Sequence, residues 1–134
     1  MKYLLDTNIC IYIIKKKSPD VLHQFNIHPV GDIGVSSITV AELKYGVQKS
    51  QYRERNEKAL EKFLIPLEIA EFDFRAASAY GRVRAELEAQ GMPIGPLDNL
   101  IAAHALSLNV TLVTNNTGEF SRVSGLKVTN WVMS

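Results

Sequence analysis

The first apolar run, Lys2-Tyr3-Leu4-Leu5, stops abruptly at Asp6-Thr7-Asn8, and a second apolar stretch continues to Ile14 before Lys15-Lys16-Lys17. Asp, Thr and Asn favour caps and turns, so the opening predicts a strand followed by a helix. Pro19 opens a second short helix through about Phe25. Asp32–Ser36 predicts another strand, with Ser37 capping a helix over Ile38–Lys49 whose apolar positions are Val40, Leu43 and Val47. From Gln51 to Leu64 one side is charged, with Glu54 and Lys58 at i,i+4, while Leu60, Phe63 and Leu64 form the other; this predicts a surface helix. Beyond Pro66, Leu67–Phe72 is a strand candidate, and Ala76–Gln90 a long helix with Tyr80, Val83 and Leu87 inward and Gly91 as its stop. Gly91–Pro96 is the one clear loop. A helix over Leu97–Leu108, a β-branched strand over Val110–Thr114, a turn at Asn115–Gly118 and a weak strand at Leu126–Thr129 complete the chain.

Strands that alternate with helices predict an α/β fold, because parallel strands need crossover connections and these are usually helices. The expected architecture is a mostly parallel sheet of four to five strands with helices on both faces. No internal repeat, linker or low-complexity segment divides the chain, so residues 1–134 are read as one domain.

Composition narrows the class. At 134 residues, 46% hydrophobic and 22% charged, the chain has ordinary globular usage and is neither disordered nor a disulfide scaffold. Cys10 stands alone, which excludes an internal disulfide and a multi-cysteine zinc site and suits a reducing compartment. The apolar runs fall far short of the roughly 20 residues of a membrane span, and Asp6 interrupts the N-terminus where a signal peptide would need apolar length, so a cytoplasmic protein is expected. The net charge of +1 conceals asymmetry: residues 1–62 hold ten Lys/Arg against seven Asp/Glu, and residues 63–134 hold five against seven. That bias is too small to establish nucleic-acid binding by itself.

Open α/β sheets bind ligands beyond the carboxyl ends of their strands. Asp6 follows the first strand, Glu42 lies in the second turn of the helix after the second, Asp98 opens the helix after the Pro/Gly loop, and Asn116 and Glu119 follow the strand Val110–Thr114. Each has a plain alternative: Asp6 as an N-cap, Glu42 as an exposed helix carboxylate, Asp98 as a helix-dipole partner, Glu119 as a solvated turn residue. Ile38 and Tyr45, at i−4 and i+3, place Glu42 on a partly apolar stripe and argue for an inward acid. Converging carboxylates repel unless a cation lies among them, and hard oxygen ligands suit Mg²⁺ or Mn²⁺. Metal-assisted phosphodiester hydrolysis is the reaction class this implies.

His104 lies about 240° around its helix from Asp98 by the 3.6-residue period, so it is read as a packing or surface residue. His23 and His28 lack metal-ligand spacing, Cys10 lacks a neighbouring base, and no P-loop is present. Ile11, Ile14, Tyr45 and Val47 are read as core in preference to a contact surface.

Four segments then carry a resemblance. Leu4-Leu5-Asp6-Thr7-Asn8-Ile9, Ser36–Gly46, Ile94–Ala105 and Leu112–Phe120 together resemble the VapC toxins of the PIN-domain ribonucleases, in the family's order and over nearly the whole chain. The resemblance implies a PIN-like three-layer α/β/α sandwich and an endoribonuclease dependent on Mg²⁺ or Mn²⁺, commonly acting on tRNA. It also implies a cytoplasmic bacterial toxin that forms homodimers. A cognate VapB-type antitoxin would inhibit it, covering the acidic pocket with its C-terminal segment and often placing a basic side chain there. By the same resemblance Asp6, Glu42 and Asp98 stand at metal-coordinating positions, and Asn8 and Thr114 at positions that orient those acids by hydrogen bonds. The chain departs where many PIN domains carry Asp and it carries Asn116; Glu119 is the residue expected to restore that charge.

Other classes fit less well. A receiver-type signalling module needs adjacent acids after the first strand and a phosphoacceptor Asp after a central one, but here one Asp follows the first strand and Val35 leads to serines. A haloacid-dehalogenase-type phosphatase would need a second Asp where Asn8 stands. A catalytically weak or inactive domain retained for antitoxin binding is the remaining alternative, resting on Asn116.

Overall fold

A computed structural model describes residues 1–132; Met133 and Ser134, the end of the expected domain, lie outside the described residues. The elements run β1 (Tyr3–Leu5), α1 (Thr7–Ile14), α2 (Pro19–Ile27), β2 (Ile33–Ser36), α3 (Ser37–Gln48), α4 (Arg53–Leu64), β3 (Glu68–Ala70), α5 (Phe74–Ala89), α6 (Pro96–Leu108), β4 (Thr111–Val113), α7 (Thr117–Phe120) and β5 (Val128–Thr129). The five strands form one sheet in the order β3-β2-β1-β4-β5, and every pairing is parallel.

Neighbouring residues of a strand point to opposite faces, and this alternation builds two cores. Leu4 and Leu112 face one way, into a layer with Val83 and Leu87 of α5 and Ile101 and Ala105 of α6. Leu5 and Val113 face the other way, against Ile9 and Ile13 of α1, Val21 of α2, Leu43 of α3 and Leu60 of α4. The three-layer α/β/α arrangement follows directly from that two-residue period.

Several boundaries differ from the expected ones for visible reasons. Ser36, not Ser37, caps α3: its hydroxyl accepts from the Ile38 N–H at 3.0 Å, and Ser37 instead accepts from the Phe72 N–H at 3.0 Å, tying α3 to the end of β3. α5 begins at Phe74 because the Asp73 carboxylate accepts from the Ala76 N–H at 3.0 Å. Val110 belongs to the exit from α6, where Asn109 turns left-handed (φ +54°) and the Val110 N–H bonds the Ala105 carbonyl. Asn115–Gly118 is not a simple turn; the chain coils into α7 so that Phe120, 1% exposed, reaches the core.

β1 lies in the middle of the sheet, with β2 and β3 on one side and β4 and β5 on the other. The chain therefore reverses its winding between β1 and β4, the kind of switch point where open α/β sheets hold their ligands. No helix among the described residues is long and apolar enough to cross a membrane.

Candidate active site

Asp6 leaves β1 at this crevice and has two tasks. One carboxylate oxygen accepts from the Ile9 N–H at 3.1 Å, capping α1, and the other accepts from the hydroxyl of Thr114, the residue after β4. The cap reading of Asp6 is therefore correct, and the same side chain also joins the end of β1 to the residue after β4. Burial raises its pKa despite those hydrogen bonds, which pull it the other way. Thr114 is itself fully buried and accepts from the Asn116 N–H at 3.0 Å, which fixes its hydroxyl hydrogen toward Asp6.

Glu42 is half-buried on α3, and one of its oxygens accepts from the Thr7 hydroxyl at 3.0 Å. Thr7 thus positions the second acid, a role the resemblance assigned to Asn8. The Asn8 side chain is exposed and makes no hydrogen bond among the described residues, because one step further along α1 turns it away from the crevice toward solvent. In the sequence Thr7 carries only helix-start character, and nothing local signals that its hydroxyl reaches α3. The apolar stripe around Glu42 is also uneven: Ile38 packs into the core, but Tyr45 is 66% exposed and does not join it.

Asp98 stands in the first turn of α6, after Pro96 at the helix start. Its pKa is pushed up to about 7, by partial burial first and then by Glu119, Asp6 and Glu42. Glu119 moves the opposite way. It is held low chiefly by the Gly95 N–H, which donates to it at 2.9 Å, and the Asn116 amide donates to its other oxygen at 2.6 Å. Both carboxylates flank Gly95, since a Cβ there would sit 3.6 Å from Asp98 Oδ2 and 3.9 Å from Glu119 Oε1. Glu119 is consequently a partly buried residue held beside Asp98 and not a freely solvated turn residue.

The acids answer to one another electrostatically, yet among the described residues no three Asp, Glu, His or Cys side chains close on one point as a ready cage. The site has two parts, Asp6 with Thr114 and Asp98 with Glu119, and Glu42 beside them on α3. None of these four acids has a Lys, Arg or His within ion-pair distance among the described residues. Such an open, all-oxygen set suits Mg²⁺, which uses one or two carboxylates and keeps several waters.

His104 takes the packing role. It is 1% exposed, its Nδ1 lies 2.8 Å from the Ser36 hydroxyl, and Phe72 meets its ring edge-on. Cys10 is fully buried, and burial together with Asp6 pushes its thiol well up, which removes it from nucleophilic chemistry.

Residues 3–126 match the PIN domain family. The chain is 47% identical over 131 residues to the tRNA(fMet)-specific endonuclease VapC of Shigella flexneri, covering 98% of each. It is 49% identical over 132 residues to Ribonuclease VapC2 of Haemophilus influenzae, covering 98% of this chain and 99% of that one. Among solved structures, DNA-bound VapBC from Salmonella typhimurium superposes with a TM-score of 0.93 at 43% identity over 98% of each chain. VapBC2 from Rickettsia felis, bound to a promoter DNA fragment, gives 0.92 at 45% identity, covering 98% of this chain and 99% of that one.

Proposed function

The chain belongs to the PIN-domain family, and on that premise we propose that it is the toxin of a toxin–antitoxin pair, an endoribonuclease that hydrolyses phosphodiesters in tRNA. The observation that carries this reading is the row of carboxylates at the β1/β4 switch point, with no Lys, Arg or His within ion-pair distance among the described residues, in a chain similar end to end to VapC ribonucleases. A repelling set of acids in a cleft costs stability unless it serves a cation, and RNA cleavage is the chemistry its relatives perform.

Mg²⁺ or Mn²⁺ is the cofactor of this reading, held by Asp6 and Asp98 with Glu42. When bound, the ion would polarise the phosphoryl oxygen and lower the pKa of water. Thr114 keeps the Asp6 carboxylate aimed into the crevice, and Thr7 does the same for Glu42. Glu119 supplies the charge that Asn116 lacks, because the Asn116 amide and the Gly95 N–H turn its carboxylate toward Asp98. A carboxyl with a pKa near 7 can hold or release a proton at working pH, so Asp98, when no cation fills the site, is the group that takes up the excess.

A VapB-type antitoxin is the protein partner of this reading, as for the relatives solved as VapBC complexes. A homodimer and a cytoplasmic location complete it.

Antitoxin-free protein incubated with total tRNA should yield discrete fragments only with Mg²⁺ or Mn²⁺, and Asp6→Asn should abolish them while the far-UV circular dichroism stays unchanged. Asn is itself a good N-cap, so the variant separates catalysis from the cap. Fragments from Asp6→Asn, or from chelator-treated protein, would sink the assignment. Intact tRNA throughout, from folded wild-type protein, would favour the inactive antitoxin-binding reading that Asn116 invites.

A further inference from the structure

Glu42, Tyr45 and Lys49 occupy positions i, i+3 and i+7 of one helix and its C-cap, so they fall on one face of α3. With a rise of 1.5 Å per residue, Tyr45 lies about 4.5 Å and Lys49 about 10.5 Å along the axis from Glu42. α3 leaves the carboxyl end of β2, so this stripe leads away from the acidic crevice: acid, aromatic ring, cation. Glu42 is tied into the crevice by Thr7. Tyr45 is 66% exposed although it follows a buried leucine by two residues, and Lys49 holds its ammonium 5.0 Å from the ring centroid. Past the next turn a second exposed pair repeats the chemistry, with the Arg55 guanidinium 4.6 Å from the Tyr52 ring. Residues 44–62 carry six Lys/Arg against three Asp/Glu, the local concentration of the N-terminal positive charge.

Exposed aromatic rings beside cations are the elements with which proteins hold single-stranded nucleic acid: bases stack on the ring and phosphates meet the charge. We propose that the exposed face of α3 is the substrate track of this protein, in which Tyr45 stacks on a nucleobase next to the scissile phosphate and Lys49 contacts the following backbone phosphate of a single-stranded RNA segment. The proposal rests on the ribonuclease reading above and adds to it the residues that position the substrate. Polarity supports it, since the carboxylates need an ion to tolerate a phosphate whereas Lys49 attracts one directly. Tyr45 is here a positioning residue that touches a base and takes no part in bond breaking.

The test uses the antitoxin-free full chain and fluorescently labelled tRNA(fMet), the RNA named for the Shigella flexneri relative. Binding is measured by anisotropy in the Asp98→Asn background without metal, and cleavage kinetics in the parent with Mg²⁺. Tyr45→Ala should weaken binding about tenfold and raise KM by a similar factor, with kcat within about threefold, and Tyr45→Phe and Tyr45→Trp should restore both because the ring face is what acts. Lys49→Ala should weaken binding and lower the slope of log K against log salt by about one, the signature of a lost phosphate contact. If the parent cleaves but Tyr45→Ala binds and cleaves like it, the track is wrong and the nuclease reading survives. Loss of self-association or of antitoxin capture on Tyr45→Ala, with RNA binding unchanged, would overturn the proposal in favour of a protein interface on this face. A parent that neither binds nor cleaves the RNA would defeat the underlying reading as well.

Discussion

The Asn116 side-chain amide donates to Glu119 Oε2 at 2.6 Å, and on the ribonuclease reading this contact is what lets Glu119 supply the charge that Asn116 lacks. An amide cannot supply charge, but its N–H groups can hold a carboxylate that does. Asn116→Ala should therefore lower kcat/KM for tRNA by about 10–100-fold, the usual cost of removing a group that orients a metal-site acid. Glu119→Gln should cost a similar factor, and the double variant little more, because both break one unit. Initial rates of the three variants decide it; independent, multiplying losses would show that Asn116 and Glu119 act separately.

Thr114 links β4 to β1 through a hydrogen bond that neither strand makes for itself. Thr114→Val keeps the shape and removes the hydroxyl, leaving the buried Asp6 oxygen and the Asn116 N–H without their partner. The expected loss is about 1–3 kcal/mol, the cost of unsatisfied buried polar groups, read from the urea midpoint. Thr114→Ser should recover most of it. A Val variant as stable as the parent would mean that water replaces the hydroxyl.

Asp98 should give the metal-free protein an unusual pH dependence. Its folded pKa of about 7 lies above the ordinary 3.8, so the folded state binds more protons between those values. Its contribution is fully present below about pH 4 and is lost as pH rises toward 7. The melting temperature of metal-free protein should fall over that window relative to Asp98→Asn, and Mg²⁺ at pH 7.5 should recover the difference while releasing protons. Parallel curves for parent and variant would remove Asp98 from the acidic cluster.

His104 acts with the opposite sign. Burial lowers its pKa below the ordinary 6.5, so the unfolded chain binds the extra proton. Stability from this group is complete above pH 6.5 and declines as pH falls toward its folded value. His104→Asn, compared with the parent from pH 7 to pH 5 in urea, should show a shallower acid decline. An unchanged slope would place the titration elsewhere.

Much of the architecture was legible in the sequence because it depends on local periodicity. Leu4 and Leu5 before a capping Asp6, and the helical spacing of Val83 and Leu87, need no tertiary information to be read as strand and helix, and their alternation already implies a parallel sheet. The same local logic singles out Asp6, just beyond an apolar run, Glu42, in the second turn of a helix, and Asp98, at a helix start, as candidate site acids. The tertiary structure decided matters that depend on which distant segments meet. Thr7 rather than Asn8 holds Glu42 because α1 and α3 pack side by side, and residues one step apart on a helix point about 100° apart. Glu119 faces Asp98 because the need to bury Phe120 coils the chain after β4, a demand set by a core built from four other elements. Tyr45 stays in water although its neighbours two residues to either side are buried, since α3 presents only one face to the sheet. Period and capping are properties of neighbours in the chain, whereas the direction of a polar side chain is settled by the partner brought opposite it.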